Sequence, residues 1–243
     1  QIFEPLERKQ HQEEGVRWCL SRELEANCGG IVADEMGLGK TFEMMGLMVA
    51  HQVEHTLIVV PPALLDQWKA CLTKYVCGKR GLHVFHGRGA KGDLILKTVI
   101  LTTYMMVGKL CEKTNIVWGR IIFDEAHHLR NSGTKIHCEA RKLRSPLKWG
   151  CTGTPIQNRL QDLYALCRIL TLPCDISRRE EYMLRRTKAS VGLILPAVKQ
   201  TDVVIAWKTE EEADFAREIH ELIPLRDVNG QNVDSIIAEL GSL

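Results

Sequence analysis

The chain has 243 residues, 45% of them hydrophobic and 26% charged, with a formal net charge of +2, so it can bury a core of its own and sits at the upper edge of one domain. Near-cancelling charge excludes a uniformly basic nucleic-acid binder and makes any nucleic-acid surface local. No apolar run is long enough for a bilayer and nothing at the start resembles a cleavable leader, so no membrane association is expected. Nine cysteines, odd in number and without a CxxC pair, fit reduced thiols inside a cell.

In chain order, short apolar runs alternate with helical patterns. GGIVAD (residues 29–34) leads to a helix from about Thr41, TLIVV (56–60) to a helix from Ala63, LHVFH (82–86) follows, and TVILTT (98–103) leads to a helix from Tyr104. RIIFDE (120–125), KWGCTG (148–153) and a helix after Asn158 continue the series. Runs that are apolar nearly throughout are strands buried on both faces, and the helices between them serve as crossovers. An α/β fold with a mainly parallel, doubly wound sheet flanked by helices is expected, with functional loops at the carboxyl ends of the strands. After Leu172 the pattern changes to LPCDIS, the basic MLRRTK, LILPAVKQ, a strand DVVIAW and a charged helix from Glu210. The expected division is 1–172 for the α/β unit, 173–199 for a connector and 200–243 for the start of a second unit, a piece of a larger protein.

Cys71, Cys77, His83 and His86 fall within sixteen residues and are zinc-type ligands. A helix end and the period-two strand LHVFH account for the same spacing without a metal. Trp68 and Trp149 are of the type that stacks on bases, but both fall on apolar faces that a core would bury.

DEMGLGKT, Asp34 to Thr41, follows a strand and opens a helix, the setting in which such a string cradles phosphate. Gly37 and Gly39 free the backbone to face the phosphates, Lys40 reaches them as a point charge, and Thr41 offers a hydroxyl to magnesium. The general GxxxxGK[ST] pattern has glycine at the position of Asp34, so the string alone leaves a glycine turn without nucleotide open. Asp124 and Glu125 follow the strand RIIF. A carboxylate at a strand end can hold magnesium and its neighbour can act as general base on water; two carboxylates capping a helix are the alternative. His127 is assigned to coupling, and His128 is left without a role.

ADEMGLGKT, DEAHH and TGTPIQN in this order resemble the Swi/Snf family of superfamily 2 helicase-like ATPases, over about Leu6 to Lys188. The resemblance implies a P-loop NTPase fold, the N-terminal RecA-like lobe of a two-lobe motor, with ATP and Mg2+ as cofactors. It places Asp34, Glu35, Met36, Gly37, Leu38, Gly39, Lys40 and Thr41 around the nucleotide. HQEEGVRW (11–18) resembles the glutamine motif, and Gln12 would read the adenine edge, an amide both donating and accepting. VVPPALLDQW (59–68) and LTTY (101–104) resemble motifs beside the tracked strand, which makes Pro61, Pro62, Gln67, Thr102 and Thr103 nucleic-acid candidates. Thr152, Gly153 and Thr154, with Pro155, Gln157 and Asn158 completing the string, resemble the motif linking the ATP state to lobe movement. Arg185, Arg186 and Lys188 resemble a connector element that either touches phosphates or is a solvated basic face.

The implied activity is DNA-dependent ATP hydrolysis driving translocation on duplex DNA, bare or within nucleosomes or other protein complexes, in the nucleus of a eukaryote or in the host cell or virion of a virus. A strand-separating or RNA-directed helicase and an ATP-gated DNA-binding scaffold remain as alternatives. The second lobe's arginines are not in the sequence, and because such a residue accounts for roughly 10³ to 10⁵ of the rate, the fragment alone is expected to be nearly inactive.

Overall fold

The computed structural model describes residues 9–77, 81–87, 98–155, 160–193 and 209–222. DVVIAW, Gln157, Asn158 and most of the glycine-bearing segment after Gly87 lie outside them. The chain divides into two compact units, residues 1–194 and 195–243. Of the second, only α8 (Glu210–Leu222) is described; it carries three glutamates in its first turn, where the helix dipole favours them.

The first unit is built on a seven-stranded sheet in the order β3-β4-β2-β5-β6-β1-β7, with every pairing parallel. The strands are β1 (Gly30–Val32), β2 (Thr56–Val60), β3 (Leu82–Phe85), β4 (Val99–Thr103), β5 (Arg120–Asp124), β6 (Leu147–Cys151) and β7 (Met183–Leu184). Every residue of β1, β2, β4, β5 and β6 is buried, which is why their sequences show no polar alternation. β7 lies inside the segment read as a connector and pairs with β1 through Ile31↔Met183 and Val32↔Leu184.

Side chains alternate between two cores. Ile31, Leu57, Val59, Ile121 and Phe123 pack with α4 (Val107–Lys113), α5 (Lys135–Lys142) and α6 (Leu160–Leu170). Val32, Ile58, Val60 and Ile122 pack on the opposite face with α1 (Gln10–Leu24), α2 (Lys40–Ala50) and α3 (Leu65–Tyr75). In α1 the buried residues are His11, Gly15, Cys19 and Glu23, one every four positions, so a single stripe faces inward. The helix expected from Ala63 begins as a 3-10 turn, Pro62–Leu64, and the one expected from Tyr104 begins likewise at Tyr104–Met106. A short helix, α7 (Arg179–Tyr182), precedes β7.

β1 connects through α2 to β2, three places along the sheet, whereas β5 connects through α5, on the other face, to its neighbour β6. The connections diverge at β1, β6 and β5, and a crevice forms there outside the carboxyl ends of the strands. The residues after those three strands line it.

Toward the opposite edge, Glu23 is fully buried and accepts from Arg120 Nε at 2.6 Å and Trp149 Nε1 at 2.8 Å, with His51 Nδ1 at 2.6 Å. Burial favours the neutral acid, but the contacts from Arg120, Trp149 and His51 outweigh it and hold the carboxyl below its ordinary range.

Candidate functional site

The loop after β1 turns twice through backbone that favours glycine, with φ of 90° at Gly37 and 95° at Gly39. A Cβ on Gly39 would fall 2.1 Å from Gln12 Nε2. Gly39 is also the N-cap of α2 and brings no side chain to the first-turn amides, which leaves those donors facing the crevice with the positive end of the helix dipole. Lys40, the first residue of α2, is 9% exposed and donates to Asp34 O at 2.7 Å and Glu35 O at 3.4 Å. Gln12 Nε2 donates to Leu38 O at 3.0 Å and His11 Nε2 lies 3.0 Å from the same oxygen, so α1 supports the loop from beneath. Gln12 retains its amide oxygen and a second hydrogen for another partner. Met36 is exposed, Leu38 is buried and Thr41 is half-buried.

Arg186 and Lys188, two residues and four beyond β7, hold this loop from the other side. Asp34 is fully buried and paired with the Arg186 guanidinium, which also donates to Glu43 Oε1 at 2.7 Å and to His11 O. The Arg186 N–H donates to Asp34 Oδ1 at 2.8 Å. Glu43 shares the burial, and desolvation together with the Asp34 charge pushes its carboxyl up to about 8 against the pull of Arg186. Glu35 accepts from the Lys188 N–H at 2.7 Å, the main cause of a carboxyl held below its ordinary range, and pairs with Lys188 Nζ at 3.5 Å. The side chains of Asp34 and Glu35 are thus engaged by the 186–188 segment, and Arg186 is neither a phosphate contact nor a solvated charge in this structure.

Asp124 ends β5 at 4% exposure. Its Oδ2 accepts from Trp68 Nε1 at 2.6 Å, its Oδ1 from the Glu125 N–H at 3.0 Å, and its carbonyl from the Tyr104 hydroxyl at 2.6 Å. Burial raises the carboxyl above its ordinary range and the neighbouring Glu125 adds to this, while Trp68, the Glu125 N–H and Lys40 oppose it. Glu125 adopts φ 48° and ψ 50°, left-handed backbone that a side chain occupies only under constraint. His127 Nδ1 lies 3.1 Å from Glu125 Oε2, and the His127 ring stacks on His128 with centroids 4.6 Å apart. Burial and the His127 charge lower the His128 pKa.

Thr152 follows β6 and is fully buried; its N–H donates to Val32 O at 3.1 Å and its hydroxyl oxygen accepts from the Thr154 N–H at 3.2 Å. A Cβ on Gly153 would fall 2.8 Å from Met36 Cγ and 3.7 Å from Lys40 Nζ. The backbone of this turn therefore lies directly against the Asp34–Lys40 loop, and Thr154 is exposed beside it.

The nucleic-acid candidates divide. Pro62 and Gln67 are exposed and Pro61 is half-buried at the carboxyl end of β2. Thr102 and Thr103 are fully buried. The Thr102 hydroxyl donates to Phe85 O at 2.8 Å, and Thr103 Oγ1 lies 3.3 Å from His86 Nδ1. Trp68 and Trp149 are 1% and 0% exposed, so neither stacks on a base. Among the described residues no group of three or more His, Cys, Asp and Glu side chains could hold a metal. Magnesium needs no such cage: it takes a few protein oxygens and keeps water and phosphate partners. The Thr41 hydroxyl and the Asp124 carboxylate are donors of that kind, and two of the four lone-pair positions on Asp124 remain after its hydrogen bonds are counted.

Arg186, Trp68 and Tyr104 are the residues whose site roles local reading misses. The only signal was their membership in motif-like strings; the partners are 152, 56 and 20 residues away.

Residues 11–179 match the family model for the SNF2-related domain. The chain is 32% identical over 237 residues to the "Probable global transactivator" of Orgyia pseudotsugata multicapsid polyhedrosis virus, covering 83% of this chain and 47% of that protein. It is 34% identical over 183 residues to the human "DNA excision repair protein ERCC-6-like", covering 68% of this chain and 14% of that protein. The chain therefore spans less than half the length of these relatives. The SWI2/SNF2 ATPase core of Sulfolobus solfataricus, solved in complex with dsDNA, superimposes with a TM-score of 0.67 at 25% identity over 100% of this chain and 60% of that one.

Proposed function

Since the chain belongs to the SNF2-related family of helicase-like ATPases, with the RecA-like lobe as its fold, we propose that it is the nucleotide-binding lobe of an ATP-driven motor that moves along duplex DNA. The observation that carries this reading is the convergence of the Gly37–Lys40 cradle, the Asp124–Glu125 pair and the Thr152–Gly153 turn on one crevice. A cradle, two adjacent carboxylates of different exposure and a turn packed on the cradle are what phosphoryl transfer to water requires of a protein.

In this reading the α2 amides and Lys40 hold the phosphates. Thr41 and Asp124 hold magnesium, which when bound neutralises charge on the phosphate oxygens. Glu125 orients and deprotonates the attacking water. Gln12, already fixed to Leu38 O, presents its remaining amide groups to adenine. Thr152 and Gly153 feel the phosphate loop through Met36, and with Thr154 and His127 they pass the nucleotide state outward. A second RecA-like lobe supplies the arginine that completes the site, and closure of the two lobes drives the step. Pro61, Pro62 and Gln67 lie along the DNA strand with the backbone of Thr103, and the Thr102 hydroxyl is kept for the fold. The double-stranded DNA in the Sulfolobus complex and the repair name of the human relative support DNA as the track. Remodelling of protein–DNA complexes follows if the motor is anchored while it moves.

The test is ATP turnover by the full-length protein with no nucleic acid, duplex DNA, single-stranded DNA and duplex RNA, with Glu125→Gln as control. Duplex DNA is expected to stimulate most, and the variant to lose turnover by at least about 10²-fold while still binding nucleotide. Preference for RNA or single strands would replace this reading with an unwinding helicase. Absence of turnover under every condition would leave an ATP-gated scaffold.

A further inference from the structure

The two segments proposed to lie along the DNA converge on one residue. Residues 59–68 end in Trp68, whose indole donates to the Asp124 carboxylate at 2.6 Å, and residues 101–104 end in Tyr104, whose hydroxyl donates to the Asp124 carbonyl at 2.6 Å. Both side chains are nearly sealed from solvent, at 1% and 4% exposure. Their neighbours are not: Gln67 and Lys69 flank Trp68 and are exposed, and Met105, beside Tyr104, is 71% exposed. The 59–68 segment thus has one part in solvent and another on Asp124, while the 101–104 segment is buried throughout and is followed directly by an exposed residue.

The chemistry of the donors is informative. An arginine or lysine at these positions would cancel the charge that a divalent cation requires. An indole N–H and a phenol O–H are neutral, so they fix the orientation of Asp124 and leave its charge intact. Filling the core would not by itself demand the Tyr104 hydroxyl, because phenylalanine would occupy nearly the same space; the Tyr104 ring already stacks on Phe123 with centroids 6.5 Å apart. The mechanical link is short. α3 begins five residues after β2 ends, and β2 pairs directly with β5 through Val59↔Phe123. A displacement of the first turn of α3 carries Trp68 with it.

We infer that Trp68 and Tyr104 are positioning residues that tie the two strand-tracking segments to Asp124, so that engagement of a duplex sets the aim of the magnesium-binding carboxylate. The inference rests on the motor reading above and adds to it a route by which DNA acts on the ATP site within this lobe. Lobe closure is then not the sole means by which DNA accelerates hydrolysis.

The test uses the full-length protein and the variants Tyr104→Phe, which removes one hydrogen bond and keeps the ring, and Trp68→Phe, which removes the indole N–H together with part of a buried ring. Magnesium is titrated against the ADP-bound protein, and ADP affinity is measured separately in EDTA. The half-saturating magnesium concentration is expected to rise roughly 10-fold in Trp68→Phe, the scale on which such supporting contacts act, with metal-free ADP affinity unchanged. Duplex stimulation of turnover is expected to fall by a similar factor. In wild-type protein labelled with 5-fluorotryptophan, the resonance absent from Trp68→Phe is expected to shift when duplex is added without nucleotide.

Wild-type magnesium dependence and wild-type stimulation in Trp68→Phe would overturn the inference and leave the motor reading standing. If duplex DNA fails to stimulate the wild-type protein, the motor reading falls and the DNA route falls with it; the magnesium titration then still decides whether the two residues position Asp124. Should Trp68→Phe not fold, Tyr104→Phe, which loses a single oxygen, carries the same expectations, and its failure to alter either quantity overturns the proposal.

Discussion

Glu125 occupies left-handed backbone at φ 48° although it carries a side chain. Such a conformation costs about 1–2 kcal/mol in a non-glycine residue, and the adjacent Asp124 carboxylate adds repulsion. Glu125→Gly is therefore expected to raise stability to urea by about 1 kcal/mol while abolishing turnover, the exchange seen where strain serves a site. A decrease in stability would mean that the turn is held at no cost. The identity of Glu125, Asp124, Lys40 and the loop glycines was legible because each lies in a short string whose chemistry depends on neighbours in sequence. Trp68 was legible as a buried residue but not as a donor to Asp124, since an indole's partner is chosen by tertiary packing. The Thr102 hydroxyl is a similar case: its acceptor, Phe85 O, belongs to β3, and nothing in LTTY points to it.

At the level of elements, the phosphate loop is held between α1 and the residues following β7. Arg186→Ala would leave the buried Asp34 and Glu43 without the guanidinium that pairs with both, and the expected loss is about 3–5 kcal/mol by urea denaturation. Replacing all three by neutral groups, as Arg186→Met with Asp34→Asn and Glu43→Gln, is expected to recover most of that stability. Nucleotide affinity should stay low in the triple variant, because the loop has lost its tether. The Glu23 cluster gives a pH prediction at the same scale. Its folded pKa lies below its ordinary 4.5, so the stabilisation is complete above that value and is lost as pH falls through the lowered one. Arg120→Met should flatten the acid limb of the stability profile, read from urea midpoints across the acid range; an unchanged limb would remove Arg120 and its partner from the account. Most strands of the sheet were legible from nearly uninterrupted apolar runs, and β3 from the period-two pattern of LHVFH. β7 was not: two residues of strand inside a basic segment carry no periodicity, and only the pairing with β1 reveals them.

For the molecule as a whole, a net charge of +2 sets the character of the proposed DNA contact. A lobe that touches a few phosphates through amides, hydroxyls and scattered basic side chains should show a log–log salt dependence shallower than about −4, roughly 0.9 per phosphate neutralised. Binding isotherms for duplex across a range of salt check this, and a slope near −8 would require a basic stripe that the charge does not provide. Fold class and sheet direction could be read before any coordinates because a doubly wound sheet writes each strand and crossover locally. The order of the strands could not, since the place where β1 and β6 meet is decided by which faces the helices cover. One contact has a consequence for inheritance. Asp34 and Arg186 are separated by 152 positions, and loss of Arg186 takes from the buried Asp34 the guanidinium that pairs with it. Among homologous chains the two positions should therefore change together or not at all, so that the second residue after β7 predicts the letter that opens the loop after β1.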